Sequence, residues 1–368
     1  MKKKNWLLVS LFVFLLAIFT ACDPWSTYPS DGQYGQNTYD GDLTWTKVSS
    51  SNGWVARYKN ASTVFNDSLW IIGGYGYQGR NKDSYLEDVW SSSDGVTWKM
   101  ETMNAPWHGR TGHAVVVLND KMVLIGGYAV DEEADSTHET NHYMNDVWSS
   151  SDGVNWTKVC DAPFGERAYH AAIVVNNTIY VIGGRKNGTD YYDDIWKSTD
   201  IEHWTQVPLT DEDKETLGKR AGMAVASVDS KIYIQGGYTS DYEIAQVNQT
   251  DWKKIRVFDT DEGTIEKKNR PGSPYNNRAL MQMSYYNDKF YLFSGVEVRR
   301  EYNMDYDEAY STWIYDNDNN TWVLDSAGSG FGPRYGYTSE IFDGKIWVLG
   351  GWSYTGPKND VWTAEVEK

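Results

Sequence analysis

Glycine pairs recur along this chain at a nearly constant interval, and this repeat constrains the fold more than any other feature. Successive pairs are separated by 53, 57, 53, 58 and 56 residues. A period of this length indicates an array of supersecondary units that bury their core by packing on one another. The six members are Gly73-Gly74, Gly126-Gly127, Gly183-Gly184, Gly236-Gly237, the degenerate Ser294-Gly295, and Gly350-Gly351.

An arginine precedes each glycine pair by 16 residues, which gives the series Arg57, Arg110, Arg167, Arg220, Arg278 and Arg334. Between arginine and glycines, two apolar runs flank a short turn such as Asn119-Asp120, which is typical of a β-hairpin. An Asp-Val-Trp or Asp-Ile-Trp motif follows the glycines in four repeats, and a further tryptophan follows in several. Each repeat therefore predicts four strands, which we label a to d.

This pattern resembles the kelch repeat, in which a double glycine ends the second strand and spaced aromatic residues mark the third and fourth. The resemblance covers residues 43–368 and implies an all-β, six-bladed kelch-type propeller with four strands per blade. The last repeat stops after its third strand, near Trp362, whereas Leu43-Thr-Trp45 matches the outer strand Val96-Thr-Trp98. We therefore expect the N-terminal strand to complete the last blade and leave no open sheet edge there.

The first residues are typical of an export signal. Three lysines, at positions 2–4, precede an apolar run from Trp6 to Phe19, and small residues lead to Cys22. This run is short for a transmembrane helix, and the cysteine resembles that of a bacterial lipobox. We expect a signal peptide over 1–21, lipidation of Cys22, a flexible tether over 22–42, and an outer-membrane lipoprotein on the periplasmic or exposed side of the envelope.

Charge and cysteine content exclude several classes of partner. The formal net charge of −17 argues against nucleic acid and against electrostatic membrane binding, so the lipid anchor is the expected membrane contact. Besides Cys22 the chain has one cysteine, Cys160, so no disulfide is expected within a monomer. The His138–His142 segment matches His-Glu-x-x-His, but it lacks the helical pattern that a zinc site of this kind requires. We expect a monomer without metal or cofactor.

Variation in repeat length falls in the b–c and d–a connections, which emerge at one face of a propeller. Function usually resides in such loops, and the arginines that open strand a are expected to ring the channel mouth on this face. Residues three positions after the arginines are expected to form an inner packing layer. The predicted ligand-binding residues are Arg57, Arg110, Arg167, Arg220, Arg278, Arg334, Tyr77, Trp107, Tyr128, Tyr192 and Trp352.

Arginine forks bind carboxylates and aromatic faces suit sugar rings, so the sequence favours an envelope-anchored binding module for a glycan or protein ligand. A second interpretation of the arginines, that they pair with acids and hold the ring together, stays open. The alternative function is a carbohydrate-active enzyme, such as a sialic-acid mutarotase, an activity known on six-bladed kelch propellers. No motif assigns a catalytic residue.

Overall fold

The computed structural model describes residues 38–39, 43–49, 52–77, 83–132, 139–239, 254–268, 278–297, 307–316, 321–325 and 330–366. Cys22 lies outside these ranges, so the signal peptide and the lipid anchor stay predictions. Six antiparallel sheets form the blades of a β-propeller, as the glycine and arginine series predicted. Across the described ranges, no helix is long and apolar enough to cross a bilayer.

The strands follow the repeat order. The described residues begin with β1 (Thr38–Tyr39) and β2 (Leu43–Ser49). Blade 1 contains β3 (Arg57–Tyr58), β4 (Ala61–Phe65), β5 (Ser68–Tyr77), β6 (Asp83–Ser92) and β7 (Lys99–Thr102). Blade 2 contains β8 (Ala114–Leu118), β9 (Lys121–Glu132), β10 (Glu139–Ser150) and β11 (Thr157–Asp161). Blade 3 contains β12 (Ala171–Val175), β13 (Thr178–Ile182), β14 (Ile195–Ser198) and β15 (Thr205–Gln206).

The second half of the ring repeats this order. Blade 4 contains β16 (Ala224–Val228), β17 (Lys231–Gln235), β18 (Ile255–Asp259) and β19 (Thr264–Lys268). Blade 5 contains β20 (Arg278–Ala279), β21 (Gln282–Tyr286), β22 (Lys289–Glu297), β23 (Asp307–Asp316) and β24 (Thr321–Asp325). Blade 6 contains β25 (Thr338–Phe342), β26 (Lys345–Leu349) and β29 (Val361–Val366), and the short hairpin β27 (Trp352–Ser353) and β28 (Gly356–Pro357) precedes β29.

The N-terminal strand closes the ring, as predicted. Strand β2 pairs antiparallel with β29 and places Leu43 opposite Val366. Leu43 is 2% exposed and packs in the core cluster between blades 5 and 6. Strand β1 pairs in parallel with β24 of blade 5. The sequence analysis assigned these two residues to the flexible tether, whereas the structure pairs them with a strand. The outer edge of blade 5 offers backbone hydrogen-bond partners that the composition of the segment does not reveal.

The a–b hairpin turns have the conformation that their sequences predict. Both turn residues have positive φ in five blades, as Asn119 (50°) and Asp120 (55°) do. In blade 4 only the first residue, Asp229, is left-handed. Type I′ turns require this conformation and match the twist of the strands that they join.

The double glycine makes room for the packing layer between blades. A Cβ on Gly126 would lie 2.8 Å from the carbonyl oxygen of Arg167 and 3.1 Å from the imidazole of His170, both in the next blade. A Cβ on Gly127 would lie 2.9 Å from the Cβ of His113 in its own blade. The predicted inner packing layer is therefore confirmed, and it is buried at Asn60, His113, His170, Met223, Met281 and Tyr337.

A short helix interrupts the all-β pattern in the described part of the chain. Helix α1 (Asp211–Leu217) occupies the d–a connection between blades 3 and 4, and Thr210 and Asp213 form its capping box. Asp213 also accepts a 2.9 Å hydrogen bond from the backbone N–H of Ile265 in β19. The helix is thus fixed to the outer strand of blade 4.

Candidate functional site

The arginine series lies inside the blades. The guanidinium of Arg110 donates to both carboxylate oxygens of Asp146, at 2.6 and 2.9 Å, and to the carbonyl oxygen of Gly126 at 2.8 Å. The same bidentate pairs form between arginine and aspartate in blades 1, 3 and 6. All six arginines are buried: Arg57 (0%), Arg110 (0%), Arg167 (0%), Arg220 (2%), Arg278 (8%) and Arg334 (3%).

The tryptophan of the third strand completes this network. In blade 2 the indole of Trp148 donates to Asp146 at 2.7 Å, and equivalent bonds form in blades 1, 3 and 6. Burial raises the pKa of Asp146, but the hydrogen bond and charge of Arg110 outweigh it and hold the pKa below its ordinary value. This network supports the structural interpretation of the arginines. Their role in ligand binding stays a prediction.

The other predicted ligand-binding residues divide into two groups. Trp107 is 1% exposed and packs against Trp156, at 6.1 Å between ring centroids, so it belongs to the core. Tyr128, Tyr192 and Trp352 are partly exposed on the b–c/d–a face. The hydroxyl of Tyr192 donates to the carbonyl oxygen of Glu166 at 3.1 Å. Tyr77 ends β5, and its side chain is outside the described part of the structure.

A ring of backbone hydrogen bonds surrounds the channel axis two residues after each arginine. Each blade donates its N–H to the carbonyl oxygen of the preceding blade, and the six distances range from 2.5 to 3.3 Å. All six residues have positive φ, from 53° to 65°. The members of this ring, which we call the axial ring, are Lys59, Gly112, Tyr169, Gly222, Leu280 and Gly336.

Glycine alternates with a larger residue around the axial ring, and each larger side chain covers the preceding glycine. A Cβ on Gly112 would lie 2.9 Å from the ring of Tyr169. Leu280 lies over Gly222 and Lys59 over Gly336 in the same way, each at 3.1 Å. The channel therefore carries one cation, one phenol and one aliphatic side chain at this level. A cavity of about 110 Å³ is lined by the axial ring and the inner packing layer.

Aromatic side chains surround the axial ring on the b–c/d–a face. Centroid separations of 4.9 Å for Tyr58 and Trp352, 4.9 Å for Tyr75 and Tyr85, and 4.7 Å for Tyr128 and Tyr143 link neighbouring rings. A second group extends over blades 3 and 4. We call the whole set the aromatic mouth: Tyr58, Tyr75, Tyr85, Tyr128, Tyr143, Tyr169, Tyr191, Tyr238, Tyr335 and Trp352.

Two cations lie against Tyr169 in this mouth. The Lys59 Nζ is 5.2 Å and the Arg185 Cζ is 4.9 Å from the centroid of its ring. Burial raises the pKa of Tyr169, but both positive charges and hydrogen bonds with Thr111 and Lys59 bring it below its usual value. Burial lowers the pKa of Arg185, and the surrounding tyrosines, chiefly Tyr238, more than reverse this effect. Arg185 therefore stays charged at neutral pH.

Sequence reasoning missed Lys59 and Arg185, although the repeat contains a signal for the second. The residue after each glycine pair is aromatic in four blades, and in blade 3 it is Arg185. In the sheet, this position pairs with the residue that follows the regularly spaced arginine of the same blade. In blade 3, for example, Arg185 pairs with Ala168, which follows Arg167. The position thus faces the mouth in several blades, and the one arginine among its aromatic residues could have been identified by aligning the repeats.

Histidines of the described chain do not assemble into a metal site. Burial lowers the pKa of His113 and of His170 to about 3, so both are neutral. Each projects toward the glycine pair of the preceding blade rather than toward the axis. The His-Glu-x-x-His segment enters strand β10 at Glu139, and His138 lies outside the described ranges. No group of three histidine, cysteine or acidic residues suited to a metal occurs among the described residues.

Comparison with known proteins agrees with this architecture. Residues 112–322 match the family model described as the KLHDC2/KLHL20/DRC7 Kelch-repeats domain. The chain is 26% identical to Kelch-like protein 15 of Mus musculus over 282 residues, 72% of this chain and 42% of that protein. It is 25% identical to Kelch domain-containing protein 3 of Rattus norvegicus over 304 residues, 81% of this chain and 61% of that protein.

A bacterial enzyme is also similar. N-acetylneuraminate epimerase of Salmonella enteritidis is 29% identical over 192 residues, which are 43% of this chain and 48% of that protein. The chain spans less than half the length of Kelch-like protein 15, so similarity to that protein concerns its repeat region. The family model covers more than half of the chain, and the six blades carry the recurring glycine pair of the motif, degenerate in blade 5. The chain belongs to the kelch-repeat family.

Proposed function

We propose that this protein is a binding module of the bacterial envelope that holds a glycan or protein ligand at the b–c/d–a face of its propeller. The aromatic mouth carries this proposal. Aromatic rings with one exposed face provide apolar area together with a polar edge, which suits sugar rings and peptide side chains. The lipid anchor predicted at Cys22 would hold the module on the membrane.

Blades 6 and 1 offer an exposed part of this surface. The partly exposed indole of Trp352 lies against Tyr58, at 4.9 Å between centroids, and β27 and β28 form a hairpin beside it. Tyr354 at the tip of this hairpin is 65% exposed. An exposed aromatic at a loop tip next to a preformed aromatic cluster is the arrangement expected of a binding surface.

A glycan array and an envelope pull-down, each with the full-length chain, test the proposal. We expect a ligand whose capture falls at least tenfold in Trp352→Ala and is unchanged in Val96→Ala. Val96 is the matched control because it is 51% exposed and belongs to the c–d turn of blade 1, at the opposite face. Capture that is lost in Val96→Ala and kept in Trp352→Ala would contradict the proposed face.

A second candidate function is mutarotation of an acidic sugar. Similarity to the Salmonella epimerase favours it, as does Tyr169, whose hydroxyl hydrogen bonds with Thr111 and Lys59 and has a lowered pKa. Such a phenol can exchange a proton with an anomeric hydroxyl, which is the chemistry that ring opening requires. NMR exchange rates of N-acetylneuraminate anomers test it: we expect acceleration by the wild type and a loss in Tyr169→Phe. A rate equal to that in buffer would exclude this function.

A further inference from the structure

The two cations beside Tyr169 lack an acidic partner in the described structure. Neither Lys59 nor Arg185 forms an ion pair with a carboxylate of the described residues, although the chain has 51 acidic residues and 34 lysines and arginines. By contrast, Arg57, Arg110, Arg167 and Arg334 each bind an aspartate. Within the described ranges, the charges of Lys59 and Arg185 are therefore not neutralised by a carboxylate.

The positions of these cations are imposed by the fold. Lys59 occupies the axial ring with φ of 54°, a conformation that costs free energy for a residue other than glycine. Arg185 projects from the position after the glycine pair of blade 3, and its guanidinium lies 4.9 Å from the Tyr169 ring and 5.6 Å from the Tyr238 ring. Its Nε is buried and has no hydrogen-bond partner among the described residues. Such a group is costly unless a ligand compensates it.

We infer that Lys59, Tyr169 and Arg185 form a carboxylate-binding subsite in the mouth, which takes the acid group of a carboxylated sugar. Each member supplies a distinct contact. The ammonium and guanidinium are charged donors, and charge-assisted hydrogen bonds to a carboxylate are about twice as strong as neutral ones. The Tyr169 ring lies against both cations, 5.2 Å from the Lys59 Nζ and 4.9 Å from the Arg185 Cζ, and its hydroxyl is a neutral donor. The rings of Tyr58 and Tyr238 pack beside Lys59 and Arg185 and add aromatic surface to the subsite. This inference rests on the proposed binding function and names its ligand class.

The repeat itself supplies variants that should fold. Lys59→Gly installs the residue that blades 2, 4 and 6 carry at the same ring position, where positive φ favours glycine. Arg185→Tyr installs the residue that blades 1, 2 and 4 carry after their glycine pairs. Leu280→Gly also places glycine in the axial ring but removes no charge, so it is the control for Lys59→Gly. Lys186→Gln removes a neighbouring charge from a side chain that is 53% exposed.

Saturation-transfer NMR and calorimetry measure the binding of two acidic sugars, glucuronate and N-acetylneuraminate, to the full-length chain. Glucose is the neutral control for glucuronate. We expect wild type to prefer glucuronate over glucose, and Lys59→Gly and Arg185→Tyr each to weaken binding of the acids at least tenfold. Leu280→Gly and Lys186→Gln should bind them as wild type does.

Three results would overturn the inference. They are equal binding of glucose and glucuronate, acid binding that survives both variants, and failure of every sugar acid to bind. If a glutamate-rich peptide binds while the sugar acids do not, the assigned ligand class is wrong. The proposed function would survive each of these results if another ligand were captured at Trp352, so failure of the subsite and failure of the module are distinguishable.

Discussion

Arg110 and Asp146 form a buried, bidentate ion pair in blade 2, with nitrogen–oxygen distances of 2.6 and 2.9 Å. The pair joins the start of the blade to its third strand across 36 residues. Together with the carbonyl oxygen of Gly126 and the indole of Trp148, it explains why the repeat keeps arginine, glycine, aspartate and tryptophan in one pattern. The most regular residues of the sequence therefore hold each blade together.

Removal of one partner from this pair should destabilise the propeller strongly. We expect Arg110→Met to lower the free energy of unfolding by about 3–5 kcal/mol, because it leaves the Asp146 carboxylate buried without its cation. The double variant with Asp146→Leu should recover part of this loss. Chemical denaturation of the full-length chain measures both. As a control, Lys158→Met breaks the exposed ion pair with Asp161 and should change stability by less than about 1 kcal/mol. If Arg110→Met lowered stability no more than Lys158→Met does, the structural role of Arg110 would be refuted.

Substitution of the first glycine of a pair should damage the contact between blades. Gly126→Ala places a Cβ 2.8 Å from the Arg167 carbonyl at a φ of 56°, so we expect a loss of about 2–4 kcal/mol from strain and steric overlap. Gly263→Ala is the matched control, since its φ is 72° but nothing lies within 4 Å. It should cost about 1 kcal/mol. Thermal unfolding of the two variants measures the difference. Equal losses of stability in Gly126→Ala and Gly263→Ala would show that the contact with the Arg167 carbonyl is unimportant.

Ring closure by β2 predicts an effect at Leu43. Leu43→Ala removes buried apolar volume from the cluster between blades 5 and 6 and should cost about 2–4 kcal/mol. Thr46→Ala, at an exposed position of the same strand, should be close to neutral. Denaturant midpoints measure the difference. Unchanged stability of Leu43→Ala would mean that β2 does not close the ring in solution.

Glu340 predicts a pH dependence of stability. Burial raises its pKa to about 7, partly offset by a hydrogen bond from the Ser62 hydroxyl. The folded chain thus holds a proton that the unfolded chain releases near its ordinary pKa of 4.5. Stability should therefore fall by about 1 kcal/mol between pH 6.5 and 8. Glu340→Gln should abolish this slope, and an unchanged slope in the variant would contradict the prediction.

Blade number, hairpin turns and ring closure were predictable because local residues determine them. Asn119 and Asp120 specify their turn directly, and the match of Leu43-Thr-Trp45 to Val96-Thr-Trp98 identified the closing strand. Burial of the arginines was harder to predict from the sequence, because their aspartate partners lie 26 to 36 residues away at changing intervals. The geometry of the ring sets this distance, and a linear pattern does not show it.

Two features of the site could not be derived from local sequence. Positive φ at Lys59, Tyr169 and Leu280 contradicts the propensity of these residues and is imposed by the axial ring. Helix α1 and strand β1 likewise depend on partners in other blades, Ile265 in one case and β24 in the other. Sequence reasoning predicted that arginines and aromatic residues act at the b–c/d–a face, but it could not separate the buried, paired arginines from Arg185.

Arginine-selective labelling of the folded, full-length chain with phenylglyoxal, read by peptide mass spectrometry, tests this separation most directly. We expect Arg185 to be modified, whereas Arg57, Arg110, Arg167 and Arg334 should stay unmodified until the chain unfolds. A bound sugar acid should protect Arg185. If the four paired arginines were modified as fast as Arg185, their burial in the blades would be wrong, and they would be candidates for ligand binding.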